Sequence, residues 1–343
     1  MCRSPRFSLQ FLLILCLVVV GCVPMQPPEA TPTPLPQSEW GDIYTIGYAP
    51  QVDAPAFTLS NNQIAFAWVG SDYAGVHQDV RTLSQSGLSD AAALPLDPFA
   101  PRDLQLRPAS SGGTQLLYLD EDSATQTYRL YSAIFTPPYR LVQGPTQISD
   151  QRTARYSVLA DDTGQLQVVW STGNPLESRL YFQRIDAAGR PQPSLLLTVD
   201  ADYPALVTNT DDAATLFWLE PNTLEVYRAQ LGDEGLQAVH SLGTALIRQP
   251  GELLLGFEVV WTESGYLLLW NTLLSNATPQ TYGMVLPADA TSITPPALLS
   301  ISNQSLSWLT VQPTSTGLTA ATMIGDELGT LQWDGQAFTD FES

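Results

Sequence analysis

From Trp40 to the end of the chain, apolar and polar positions alternate in short runs, and no stretch keeps an apolar face at helical spacing. The runs are rich in Val, Leu, Tyr and Trp. Clusters of Asp, Gly, Asn, Ser and Pro separate them. The strongest runs recur: they end at Trp68, Tyr118, Trp170, Trp218, Trp270 and, more weakly, Ala320, at spacings of 50, 52, 48, 52 and 50 residues. A strand precedes each of them, beginning near Pro55, Leu104, Tyr156, Pro204, Phe257 and Ser307. A third strand follows, near Val80 and at 129–133, 179–185, 224–229, 281–286 and 330–333. A looser fourth follows that, as in 194–199 and 297–301. Four strands in a unit of about 50 residues, repeated six times, predict an all-β, six-bladed β-propeller. The aromatic that closes the second strand of each unit is expected to fill the wedge between blades. The last blade needs a strand from a chain terminus, with Ile43 to Tyr48 or Gln336 to Phe341 as the alternatives.

The first 39 residues read differently. Arg3 and Arg6 precede an uncharged apolar run from Phe11 to Val20, too short to span a bilayer as a helix and consistent with a signal segment. Val19-Val20-Gly21-Cys22 closes it and resembles the lipobox of bacterial lipoproteins. The resemblance implies cleavage before Cys22, diacylation of its thiol and an extracytoplasmic, lipid-anchored protein of the cell envelope. Residues 23–38 carry six prolines in sixteen positions, which predicts an extended spacer rising ~3.1 Å per residue. The expected organisation is thus a signal peptide at 1–21, a lipidated cysteine and linker at 22–39, and the propeller at 40–343.

Charge narrows the partners. Without residues 1–21, 12 arginines face 34 acidic residues and the chain has no lysine, giving −22 against −20 for the full sequence. Such a chain repels phosphate backbones and anionic headgroups, so nucleic acid is not expected, and membrane contact is expected through the lipid alone. Cys2 and Cys16 fall in the leader, which leaves Cys22 as the one cysteine of the mature chain and no internal disulfide.

Candidate chemistry is sparse. His77 and His240 stand in different repeats without metal-ligand spacing, and no cofactor motif is present, so no metal, cofactor or catalytic residue is assigned. Asp120-Glu121-Asp122, Asp161-Asp162 and Asp211-Asp212 could ligate calcium, but each sits at a turn, where Asp bonds to its own backbone. Loops at one end of the blades would bring Arg102, Arg155, Asp202 and Tyr203, with Asp120 and Glu220, to one mouth of the central funnel as a ligand rim.

Segments such as Leu159 to Trp170, with an Asp-x-x-Gly turn between strands, resemble the repeats of bacterial sialidase-like propellers. The match departs from an intact Asp-box at Ala160 and Leu166. That resemblance implies three converging arginines, a Tyr–Glu nucleophile pair and an Asp acid. Arg129, Arg179 and Arg228 instead recur on third strands, away from the axis. The reading that follows is a lipid-anchored binding or scaffold module for a protein or glycan ligand, without hydrolase activity. A sialidase-like glycan hydrolase or lyase is the alternative.

Overall fold

The computed structural model describes residues 56–333 apart from 61–62, 73–74, 110–111, 137–138, 162, 175, 210–212, 245–251, 263, 275–279, 293–296, 299–305, 315–316 and 325–326; of residues 306–333 it describes the backbone. Cys22, the leader, the linker and both candidate closing strands lie outside the described residues.

Every regular element among the described residues is a strand, and consecutive strands pair antiparallel. The first sheet contains β1 (Ala56–Ser60), β2 (Gln63–Asp72) and β3 (Gly75–Ser84), with β4 (Gly87–Leu88) and β5 (Ala92–Ala93) sharing the fourth position beside β3. The second runs β6 (Arg102–Pro108), β7 (Thr114–Asp122), β8 (Thr127–Thr136), β9 (Arg140–Gln147). The third runs β10 (Arg155–Ala160), β11 (Leu166–Ser171), β12 (Arg179–Ile185), β13 (Leu195–Val199). The fourth is β14 (Asp202–Thr208), β15 (Ala214–Leu219), β16 (Val226–Gly232), β17 (Gly235–Gly243), and the fifth β18 (Glu252–Thr262), β19 (Gly265–Leu274), β20 (Gln280–Leu286), β21 (Ala297–Leu298). The last sheet holds β22 (Leu306–Thr314), β23 (Gly317–Ile324) and β24 (Glu327–Trp333).

These are the blades of a β-propeller, with one correction to the sequence reading. Five blades, not six, reach the full four-strand width; the last sheet has three strands among the described residues. Both candidates for its fourth strand, Ile43 to Tyr48 and Gln336 to Phe341, lie outside the described residues.

The repeat aromatics behave as wedges. Trp68, Tyr118, Trp170, Trp218 and Trp270 are all at most 5% exposed. In the four blades from the second to the fifth, the wedge residue lies directly across from a tyrosine of the third strand: Tyr118 and Tyr131, Trp170 and Tyr181, Trp218 and Tyr227, Trp270 and Tyr282. Their rings stack at 5.4 to 5.7 Å with interplanar angles of 11 to 22°. Such pairs contribute about 0.5–1.5 kcal/mol beyond the area they bury. In the first blade Trp68 faces Asp79 instead.

The apolar core lies between blades. Leu117, Leu119 and Leu130 of the second blade pack with Tyr156, Val158 and Val168 of the third, and Phe217 and Leu219 of the fourth with Phe257, Val259 and Leu268 of the fifth. The inner strands therefore stand side by side around an axis, and their edges line whatever space remains there.

Candidate functional site

The register puts Arg102 opposite Leu119, Arg155 opposite Ser171 and Asp202 opposite Leu219, so the inner strands begin at the end of each blade where the second strand finishes. Asp120 and Glu220 lie at or just past those second-strand ends. The six rim residues thus belong to corresponding ends of their blades. Three of them meet.

Arg155 Nη1 bonds Asp202 Oδ2 at 2.8 Å, its Nη2 donates to the Tyr203 hydroxyl at 3.0 Å, and the guanidinium lies 3.8 Å from the Tyr203 ring centre. Asp202 is buried and also accepts from Ser171 Oγ at 2.5 Å and from the Tyr203 amide at 2.7 Å. The Tyr203 hydroxyl in turn donates to the Leu254 carbonyl at 2.9 Å. A register shift follows Asp202, with Tyr203 at φ +55°, so the bulge turns this ring back toward the preceding blade. The cluster joins the third, fourth and fifth blades.

The other three are used separately. Asp120 accepts from the Ala100 amide at 2.7 Å and the Phe99 amide at 3.1 Å, which fixes the loop leading into β6. Arg102 lies over the Tyr128 ring at 3.7 Å, with Asp103 at 3.7 Å. Glu220 closes a turn, accepting from the Thr223 hydroxyl while its carbonyl takes the Leu224 amide at 2.8 Å. The acidic turns act in the same local way. Asp122 takes the Ala124 and Thr125 amides, and Asp161 takes the amides of Thr163 and Gln165 and the Thr163 hydroxyl; both carboxyls are held below their ordinary range, with hydrogen bonds outweighing desolvation at Asp161. Of the phased arginines, Arg129 donates to the Asp150 carbonyl, and Arg228 to the carbonyls of Ala288 and Ala290 at 2.8 and 3.0 Å.

The axis is different. Inner strands β1, β6, β10, β14 and β18 line an open cavity of about 430 Å³. The inner-strand residues that pair with the position just before each wedge aromatic, Ala56, Gln105, Ser157, Ala205 and Glu258, form one column of that lining. The column is small or polar throughout. Gln105 accepts from Arg107 Nη2 at 3.1 Å, and Ser157 Oγ accepts the Leu206 amide of the next blade at 2.9 Å. Glu258 has no hydrogen bond or ion pair among the described residues.

Glu258 is an exposed residue of the cavity lining, with its own strand β18 and the neighbouring inner strand β14 close about it. Desolvation by the strands lining the cavity pushes its carboxyl up to about 7. Arg107, the one cation of the described lining, donates to the carbonyls of Leu106 at 2.8 Å and Val158 at 3.1 Å as well as to Gln105, and burial lowers its pKa. Tyr156 is not free for chemistry. Its hydroxyl is spent on the Asp103 and Leu117 carbonyls, the latter at 3.1 Å, and burial raises its pKa. No group of three or more His, Cys, Asp or Glu side chains suited to a metal occurs among the described residues.

Sequence reading did not single out Glu258, because it sits inside the apolar run Phe257-Glu258-Val259-Val260-Trp261 rather than in a polar cluster. The alignment of inner strands was the available signal. It makes Glu258 the one ionisable member of a column that otherwise reads Ala, Gln, Ser, Ala.

No protein-family model matches the sequence, and no curated protein matches it. Solved structures do. An ulvan lyase of polysaccharide lyase family PL25, bound to -[GlcA(1-4)Rha3S]-, superposes with a TM-score of 0.56 at 9% identity, covering 87% of this chain and 84% of that one. A mutant of AofleA from Arthrobotrys oligospora, with arginines replaced by alanine, gives 0.54 at 10% identity over 84% of this chain and 86% of that one. A mutant of puromycin hydrolase gives 0.50 at 17% identity, covering 83% of this chain and 46% of that one. At these identities the likeness is one of fold, and the fold is the β-propeller.

Proposed function

We propose that this protein is a lipid-anchored, extracytoplasmic propeller that holds a saccharide in its axial cavity and cleaves it, with Glu258 as the group that moves the proton. The observation that carries this reading is the solitary Glu258 carboxyl, lining the cavity, unpartnered among the described residues, and raised to about 7. A group that changes charge near neutrality is poised for general acid–base work, worth roughly 10²–10⁴ in rate. The glycan-lyase neighbour at a TM-score of 0.56 supports a saccharide as the ligand, and so does a cavity of about 430 Å³ with polar groups set among apolar ones. The Gly21-Cys22 junction and the proline-rich spacer support attachment through Cys22. In this reading the rim residues Arg102, Asp120, Arg155, Asp202, Tyr203 and Glu220 hold the frame through which the saccharide enters.

A specific observation favours a second reading, binding without turnover. Two-carboxylate glycoside hydrolysis places its acids about 5–10 Å apart. No Asp or Glu other than Glu258 lines the cavity among the described residues. The test is incubation of the full chain with a panel of neutral, amino and acidic polysaccharides, scoring reducing ends and unsaturated products separately. Cleavage that falls about 100-fold or more in Glu258→Gln supports catalysis at the axis. Equal cleavage by both proteins removes Glu258 from the mechanism, and binding with no product leaves a binding module.

A further inference from the structure

The charges around the cavity indicate what kind of saccharide it takes. Glu258 is the single carboxylate of the described lining. The one cation there, Arg107, already donates to three protein oxygens. The remaining arginines of the described residues are engaged elsewhere or exposed. Arg155, Arg184 and Arg190 pair with Asp202, Asp233 and Asp186, Arg102 lies over Tyr128, and Arg129 and Arg228 bond loop carbonyls. The chain has no lysine, Arg248 lies outside the described residues, and the sequence of β22, Leu-Ser-Trp-Leu-Thr-Val-Gln-Pro-Thr, adds no charge. The full chain carries −20, so the long-range field also turns anions away.

Among the described residues, a carboxylate or sulfate on an incoming sugar would therefore find no free counter-charge and would lie next to a like charge. A single carboxylate is equally poor for a divalent metal, which takes six or more oxygen ligands in the case of calcium. It is the natural complement of one ammonium group.

We propose that the axial cavity selects saccharides bearing a protonated amine and rejects those bearing carboxylates or sulfates, with Glu258 as the counter-charge of the amine. The inference rests on the assignment of the cavity as a saccharide site. An ammonium paired with Glu258 keeps that carboxylate ionised in the complex. In hydrolysis it then takes a proton from the attacking water, whose oxygen bonds to the anomeric carbon as the glycosidic bond breaks and the leaving oxygen takes its proton from solvent. Elimination from a uronate, whose own carboxylate would need a cation beside it, is the less suited chemistry.

The test is calorimetric titration of the full chain, in detergent, with three probes of equal length: a glucosamine oligomer, its N-acetylated counterpart and a galacturonate oligomer. One charge-assisted hydrogen bond predicts that the amine probe binds about tenfold or more tightly than the N-acetylated one, with galacturonate weakest. Added salt should narrow that gap. In Glu258→Gln, which preserves the shape of the side chain, the ratio of the two glucosamine probes should fall to about one, with circular dichroism confirming the fold. Equal affinity for both glucosamine probes, or a preference for galacturonate, overturns the amine assignment and leaves the saccharide site standing. Absence of binding by all three probes overturns both. A calcium titration whose signal vanishes in Glu258→Gln would replace the amine with a metal.

Discussion

The rim and the axis of this propeller hold charge in opposite ways. At the rim, Arg155, Asp202, Tyr203 and Ser171 satisfy one another within 3.0 Å, and Asp120 and Glu220 are spent on nearby backbone and hydroxyl groups. At the axis, Glu258 lines an open cavity with no partner among the described residues. A dense cluster of charges is thus the better sign of a structural joint, because each member lowers the energy of the next. A solitary one costs free energy that nothing in the fold returns, and that imbalance is what a ligand can relieve.

The comparison breaks first on stability. Replacing Asp202 by Ala leaves Arg155, Ser171 and the Tyr203 amide without their acceptor, and should cost about 3 kcal/mol in denaturant unfolding. If Asp202→Ala is neutral in stability but abolishes saccharide binding, the rim is a ligand site after all. Tyr156→Phe comes next. Its hydroxyl joins the third blade to carbonyls of the second, so the loss should be about 1.5 kcal/mol by the same measurement.

Glu258 should give an effect of the opposite sign. Its folded pKa of about 7 lies above the ordinary carboxyl value of 4.5, so the folded state binds the proton more tightly than the unfolded chain. The destabilisation is absent below pH 4.5, develops as pH rises from 4.5 to about 7, and is complete above it. Because water reaches the carboxyl, the penalty is discounted to about 1 kcal/mol. Glu258→Gln should therefore unfold at higher denaturant than the parent at alkaline pH and lose that advantage at acid pH. A flat difference across the range would place the carboxyl in ordinary solvent. The smallest change is Asp120→Asn at the rim, which weakens two loop contacts and should cost about 0.5 kcal/mol.

Much of the fold was legible because wedge residues must recur. Trp170 and Trp218 announced themselves by size and spacing, and the tyrosines stacked on them, Tyr181 and Tyr227, lie at the matching point of the next strand. The last blade was less legible. Among the described residues, 306–333 form three strands, and the two candidates for a fourth, one at each end of the chain, carry too little periodicity in sequence to choose between them. The rim residues were easy to find because polar loops carry visible charge. Their pairing into a joint was not, since Arg155 and Asp202 lie 47 residues apart in sequence. Glu258 was overlooked for the converse reason: its run is apolar, and only the register of five inner strands shows that its side chain belongs to the axis.

The most direct measurement is a structure of the chain with a bound oligosaccharide, determined for the parent and for Glu258→Gln. The expected result is a sugar in the cavity lined by β1, β6, β10, β14 and β18, with a polar group within hydrogen-bond distance of Glu258, and weaker occupancy in the variant. A sugar seated at the rim against Arg155 and Tyr203, with the axial cavity empty in both, would contradict it.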